Sequence, residues 1–115
     1  MNVSEIYQMS CRFASFVEGS LPVVTRTSQL QVSYSGMRPE SLEMVRNQRA
    51  LGLPQASRPI EVNVWPDSGI FLSDGRHRLT VAKELGDSQI NAIIRYYDDE
   101  GYVVDEMLQT LVIDD

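Results

Sequence analysis

One cysteine, one histidine and one lysine occur in the 115 residues. A lone Cys11 excludes an internal disulfide and makes no metal site by itself. No apolar run approaches the roughly 20 residues that span a bilayer, so no membrane segment is expected. The opening MNVSEIYQMSCRF lacks both the basic start and the apolar stretch of a secretory leader, and a cytoplasmic location is expected. Repeats, low-complexity tracts and dividing linkers are missing too. The length then suits a single domain over 1–115. No acid falls between Glu18 and Glu40, and no Lys or Arg falls after Arg95.

A hydrophobic content of 43% with 23% charged residues is ordinary for a globular chain, which excludes disorder as the default. The net charge of −6 is segregated. Asp98, Asp99, Glu100, Asp105, Glu106, Asp114 and Asp115 all lie in the last stretch, and the remainder is close to neutral. Lys83 is the single lysine; every other cation is Arg, whose rigid donor fork suits phosphate or carboxylate.

Residues 4–17 read as a helix, with Ser4 as N-cap and Ile6, Met9, Phe13, Phe16 and Val17 on one face. SQLQVSY alternates as a strand, and RPESLEMVRNQRALG reads as a helix with Pro39 near its start and Gly52 past its end. IEVNVW and IFLS flank the turn composition PDSG, giving a hairpin. A helix from about Arg76 to Leu85 follows, then the strand QINAIIRYY. Val104, Met107, Leu108, Leu111 and Val112 recur at helical spacing, so an acidic amphipathic helix is expected over 102–113. The expected fold class is α+β, a small mixed sheet flanked by helices in the order α-β-α-β-β-α-β-α.

The stretch FLSDGRHRLTVAKELG carries the chemistry. Arg76, His77 and Arg78 open a helix, the end where the backbone dipole disfavours cations by about 0.3–1 kcal/mol each. A strand, a glycine and a helix start also form an anion-binding layout, because free N–H groups point outward there. A bound phosphate would compensate the misplaced charge. Pairing with Asp74 and Glu84 on a solvated face is the plainer alternative. Arg46, Arg49 and Arg58 either extend this basic surface or line a solvated helix face. Asp98, Asp99 and Glu100, with Asp105 and Glu106, suit either a divalent metal or the cap of the last helix. Trp65 is suited to stacking a base or to packing over the strand pair, and Tyr96 and Tyr97 must face opposite sides of their strand.

Across roughly 37–97 the chain resembles the ParB/sulfiredoxin-like family. The resemblance is carried by Pro59-Ile60-Glu61-Val62, by Asp74-Gly75-Arg76-His77-Arg78, by Ala82 and by Glu84-Leu85-Gly86, in that order. It implies a stand-alone domain of the ParB N-terminal type, binding a nucleotide of the ATP or CTP class. Gly75 would open the turn, and Arg76, His77 and Arg78 would contact phosphates. Asp74 would be the catalytic residue, positioning Mg²⁺ or an acceptor for NTPase or phosphotransfer chemistry. A phage or plasmid accessory protein and a homodimer also fit the resemblance. Sulfinic acid repair does not, since Arg76 stands where sulfiredoxins have their reactive cysteine. The kinase branch needs a glutamate near its first strand, and none is present there. The second functional class is a non-enzymatic inhibitor offering its acidic C-terminal helix to a basic partner surface. Weak basicity and the acidic tail disfavour duplex DNA binding and nuclease activity.

Overall fold

A computed structural model describes residues 21–33, 36–67 and 69–115. They form a small α+β domain: a four-stranded mixed sheet with two helices. Two 3-10 turns, Thr27–Gln29 and Pro54–Ser57, lead into helix α1 (Pro39–Ala50) and strand β1 (Ile60–Trp65), respectively out of and into the helical layer. Strand β2 (Gly69–Asp74), helix α2 (Arg76–Glu84), strand β3 (Gln89–Tyr97) and strand β4 (Val103–Val112) complete the order. The sheet runs β2-β1-β3-β4. β1 pairs antiparallel with β2 and parallel with β3, while β4 runs antiparallel to β3.

Period-two alternation places the core on one face. Ile60, Val62 and Val64 of β1 and Ala92, Ile94 and Tyr96 of β3 are buried there, joined by Leu111 of β4. Val24 and Leu30 of the leading segment pack against the same face. The Tyr96 hydroxyl donates to Pro22 O at 2.8 Å, tying that segment down. On the opposite face Trp65 stacks on Tyr97, with ring centroids 4.0 Å apart.

The hairpin, α1, α2 and β3 match the sequence reading. The helix expected over 4–17 lies outside the described residues, and two other expectations do not carry through. The strand expected at SQLQVSY is, in its described part, the Thr27–Gln29 turn and a single bridge from Gln31 to Phe71. The helix expected over 102–113 is strand β4. Its register along β3 runs from Gln89 opposite Val112 to Tyr97 opposite Val103. Pairing satisfies the backbone there, and β-branched Val and Thr favour the pleat over the helix.

Correcting β4 also reassigns the acids. Asp98 caps the β3–β4 turn instead of a helix: its carboxylate accepts N–H bonds from Glu100 and Tyr102 at 2.9 and 3.0 Å. Glu106 pairs with Arg95, Asp114 with Arg26 and Asp115 with Lys83. The inhibitor reading placed these acids on a C-terminal helix, and that segment is strand β4. Among the described residues no helix is long and apolar enough to cross a membrane, and no group of three His, Cys, Asp or Glu side chains is placed to hold a metal.

Candidate functional site

β2 ends in Asp74, and the chain turns into α2 through Gly75 at φ +98°. Only glycine adopts this left-handed conformation cheaply. A side chain would also not fit: a Cβ at Gly75 would lie 2.6 Å from Ile60 Cγ2. The glycine is therefore required by the close passage of β1 as much as by any ligand. Among the described residues no side chain caps the start of α2, which leaves its first N–H groups for another acceptor.

The three basic residues at this helix start separate into different roles. Arg78 is nearly enclosed, with 10% of its side chain exposed. Its Nη1 donates to Arg58 O and Pro59 O at 2.8 and 2.9 Å, and its Nη2 donates to Asp74 Oδ2 at 3.1 Å. It pins the segment before β1 to the base of α2, and burial holds its guanidinium below the usual arginine range. Much of the compensation sought from a phosphate is thus supplied internally, by two carbonyls and a carboxylate.

Arg76 is the opposite case. Among the described residues its Nη2 reaches only Gly36 O, at 3.5 Å, and its Nε is buried without a partner. His77 accepts an N–H bond from Arg38 at Nε2, 3.3 Å, which requires an unprotonated nitrogen. Burial, then the charges of Arg76 and Arg38, hold its pKa below the ordinary histidine value, with Asp74 opposing them.

These side chains border one cleft of about 380 Å³, lined by Arg38, Arg58, Arg76, His77, Arg78 and Asp74 together with Met44, Val45 and Gln48 of α1. All five expected site residues meet here, Asp74 through Arg78. Asp74 is half exposed and is the one carboxylate among the lining residues; Arg58 lies 4.0 Å from its Oδ2. A second cleft of about 280 Å³ shares Arg58 and Arg78 and continues past Arg49, Asp87, Gln89 and Asn91.

Arg38 escaped sequence reasoning; its position immediately before Pro39, at the entry to α1, was the available signal. Of the three arginines weighed as a basic extension, the structure brings Arg58 to the first cleft. Arg46 and Arg49 instead bridge α1 to α2 through partly solvated ion pairs and do not line that cleft. Arg46 donates to both oxygens of Glu84 at 2.9 and 2.8 Å, and Arg49 to both of Asp87 at 2.7 and 3.0 Å. Hydrogen bonding from the arginines holds both carboxyls below their usual pKa. Glu84 thus pairs with α1 rather than with the arginines of its own helix start.

No family model, curated protein or solved structure matches the chain.

Proposed function

We propose that the chain binds a phosphate-bearing ligand, a nucleoside di- or triphosphate, in the Arg38–Arg76 cleft, as a domain of ParB/sulfiredoxin-like type. The observation that carries this reading is the pairing deficit at the helix start. Arg38 and Arg76 have no carboxylate within ion-pair distance among the described residues, Arg76 keeps a buried unpartnered Nε, and the helix beside them is uncapped. An anion seated there would meet backbone N–H groups and guanidinium forks together, an arrangement in which charge-assisted hydrogen bonds are strongest.

In this reading Arg76 and Arg38 grip the phosphate, His77 gains a proton-bearing nitrogen as the anion arrives, and Arg58 extends the positive wall. Arg78 positions the turn and is held by Asp74. The second cleft supports a ligand longer than a lone phosphate, since it begins at Arg58 and Arg78. Mg²⁺ arriving with a polyphosphate would have Asp74 as its protein ligand and would supply charge neutralisation. Any transfer or hydrolysis would draw on positioning and on that neutralisation.

The test is titration with ATP, CTP, GTP and ADP, with and without Mg²⁺, alongside phosphate-release measurements. Saturable binding, weakened at least tenfold in Arg76→Ala, is expected. Absence of binding to every nucleotide at millimolar concentration sinks the proposal.

A further inference from the structure

The two edges of the sheet are finished differently. Along β2, Gln31 donates its N–H to Ile70 O at 2.8 Å and accepts from Leu72 N–H at 3.1 Å, so a single bridge crosses the middle of that edge. Along β4, the covering segment reaches only the last residue, where Val112 N–H donates to Thr25 O at 2.9 Å. From Val103 to Leu111 no described segment pairs with the outer edge. The strand contains neither Pro nor Lys, and its register shift lies at the far end, opposite Tyr96 and Tyr97. Of the usual devices that blunt an edge, the described strand carries only the charges of Asp105 and Glu106 near its start, and none from Met107 to Leu111.

The same strand gathers apolar surface. Of the ten large hydrophobic residues left exposed among those described, Tyr102, Val103, Met107, Leu108 and Val112 lie on it or directly before it, and Leu108 is 68% exposed.

The backbone pattern says what can add to this edge. Val112 directs its N–H outward, and in an antiparallel ladder alternate residues direct both backbone groups to the same side. Thr110, Leu108 and Glu106 therefore present theirs outward as well. The Glu106 N–H is held by the neighbouring Asp105 carboxylate at 2.9 Å, consistent with an edge group facing no strand. The three residues are symmetric about Leu108.

We infer that β4 pairs antiparallel with β4 of a second copy of this chain, about a twofold axis through Leu108. Such an axis, perpendicular to the sheet, preserves its faces, so residues of equal parity must meet. Leu108 then opposes its own counterpart, Glu106 opposes Thr110, and Met107 opposes Gln109. Asp105 opposes Leu111, and no two like charges face each other. A self-complementary strand is what an isologous twofold interface requires. Leu108 lies opposite Ile93 on its own sheet, so the paired leucines extend an apolar strip on that face across the junction. The interface is formed by a sheet edge and does not use the arginine cleft, so it stands independently of the nucleotide reading.

Sedimentation equilibrium of the full chain from micromolar to millimolar concentration tests the inference, with three variants. Leu108→Lys places two ammonium groups on the axis and is expected to weaken dimerisation at least tenfold. Thr110→Pro removes an outward N–H, a change that edge strands accommodate, together with the hydroxyl that donates to Asn91 Oδ1, and is expected to do the same while the amide spectrum stays folded. Leu108→Cys in a Cys11→Ser background is expected to form an intermolecular disulfide under mild oxidation. Opposed residues of a hydrogen-bonded pair stand about 5.5 Å apart at Cα, within disulfide reach. A monomer throughout the concentration range overturns the inference, as does a dimer that Leu108→Lys and Thr110→Pro leave intact. Failure of the leucine-to-cysteine variant to cross-link a dimer overturns the register.

Discussion

Two groups of arginines sit on and beside the same helix pair, and they are satisfied in different ways. Arg46 and Arg49 each offer a guanidinium fork to a matching carboxylate, Glu84 and Asp87, across the α1–α2 junction. Arg38, Arg58 and Arg76 face a cleft whose one lining carboxylate, Asp74, is already engaged by Arg78. The difference teaches that residue type does not mark a ligand-facing arginine. What marks it is a missing partner on the protein side. Arg78 makes the same point from inside the suspected motif, because its donors are closed by Arg58 O, Pro59 O and Asp74.

The largest effect is expected at the turn that carries the cleft. Gly75→Ala combines a left-handed backbone with overpacking against Ile60 and should lose about 2–5 kcal/mol of stability by denaturant unfolding. Gly86→Ala, at φ +73° with open space around it, should lose only the backbone component, about 1–2 kcal/mol. Equal losses at the two glycines would remove the close-passage account of Gly75. Arg78→Ala should follow, at about 1.5–3 kcal/mol, since it strips charge-assisted bonds from two carbonyls and a carboxylate. A variant at Arg78 that stays fully stable would return this residue to the ligand-facing group.

Arg49→Gln should cost about 1 kcal/mol or less, with anion binding intact. Its pH dependence has a definite sign. The folded-state pKa of Asp87 is depressed by the Arg49 hydrogen bonds, so their contribution is full above about pH 4 and is lost as pH falls through the folded value. The stability gap between wild type and Arg49→Gln should therefore close in acid; a gap that widens contradicts the ion-pair assignment.

The smallest effect concerns His77. Its folded-state pKa is also depressed, so neutral His77 contributes stability above about pH 6.5 that is lost as pH falls through the folded value. Burial is the main cause, Arg76 and Arg38 add to it, and Asp74 opposes them. An anion in the cleft opposes the two arginines and favours the protonated ring. Binding to wild type should then strengthen on acidification more than binding to His77→Gln, a difference that removes the ligand's own titration. Parallel pH profiles would place His77 away from the anion.

Much of this layout was legible in sequence, for identifiable reasons. IEVNVW and QINAIIRYY alternate because one face of each strand is core, and Gly75 marks the strand-to-helix turn that gathers the cleft. β4 was misread because Val104, Met107, Leu108, Leu111 and Val112 satisfy helical spacing. On the strand those same residues divide between the two faces, and only Leu111 is fully buried. Strand pairing, a nonlocal partner, decided the outcome. SQLQVSY alternates as a strand would, yet its Leu30 reaches the core from an irregular segment rather than a strand. The two arginine groups could not be separated in sequence: Glu84 and Asp87 stand 38 positions from Arg46 and Arg49. The carbonyls that occupy Arg78 leave no trace in side-chain identity.

Calorimetric titration of pyrophosphate into wild type, Arg76→Ala and Arg49→Gln compares the two groups most directly. Saturable binding that is equal in wild type and Arg49→Gln, and at least tenfold weaker in Arg76→Ala, is the predicted result. No binding to wild type at millimolar pyrophosphate, or equal binding in Arg76→Ala, would contradict the assignment of the cleft arginines to an anion.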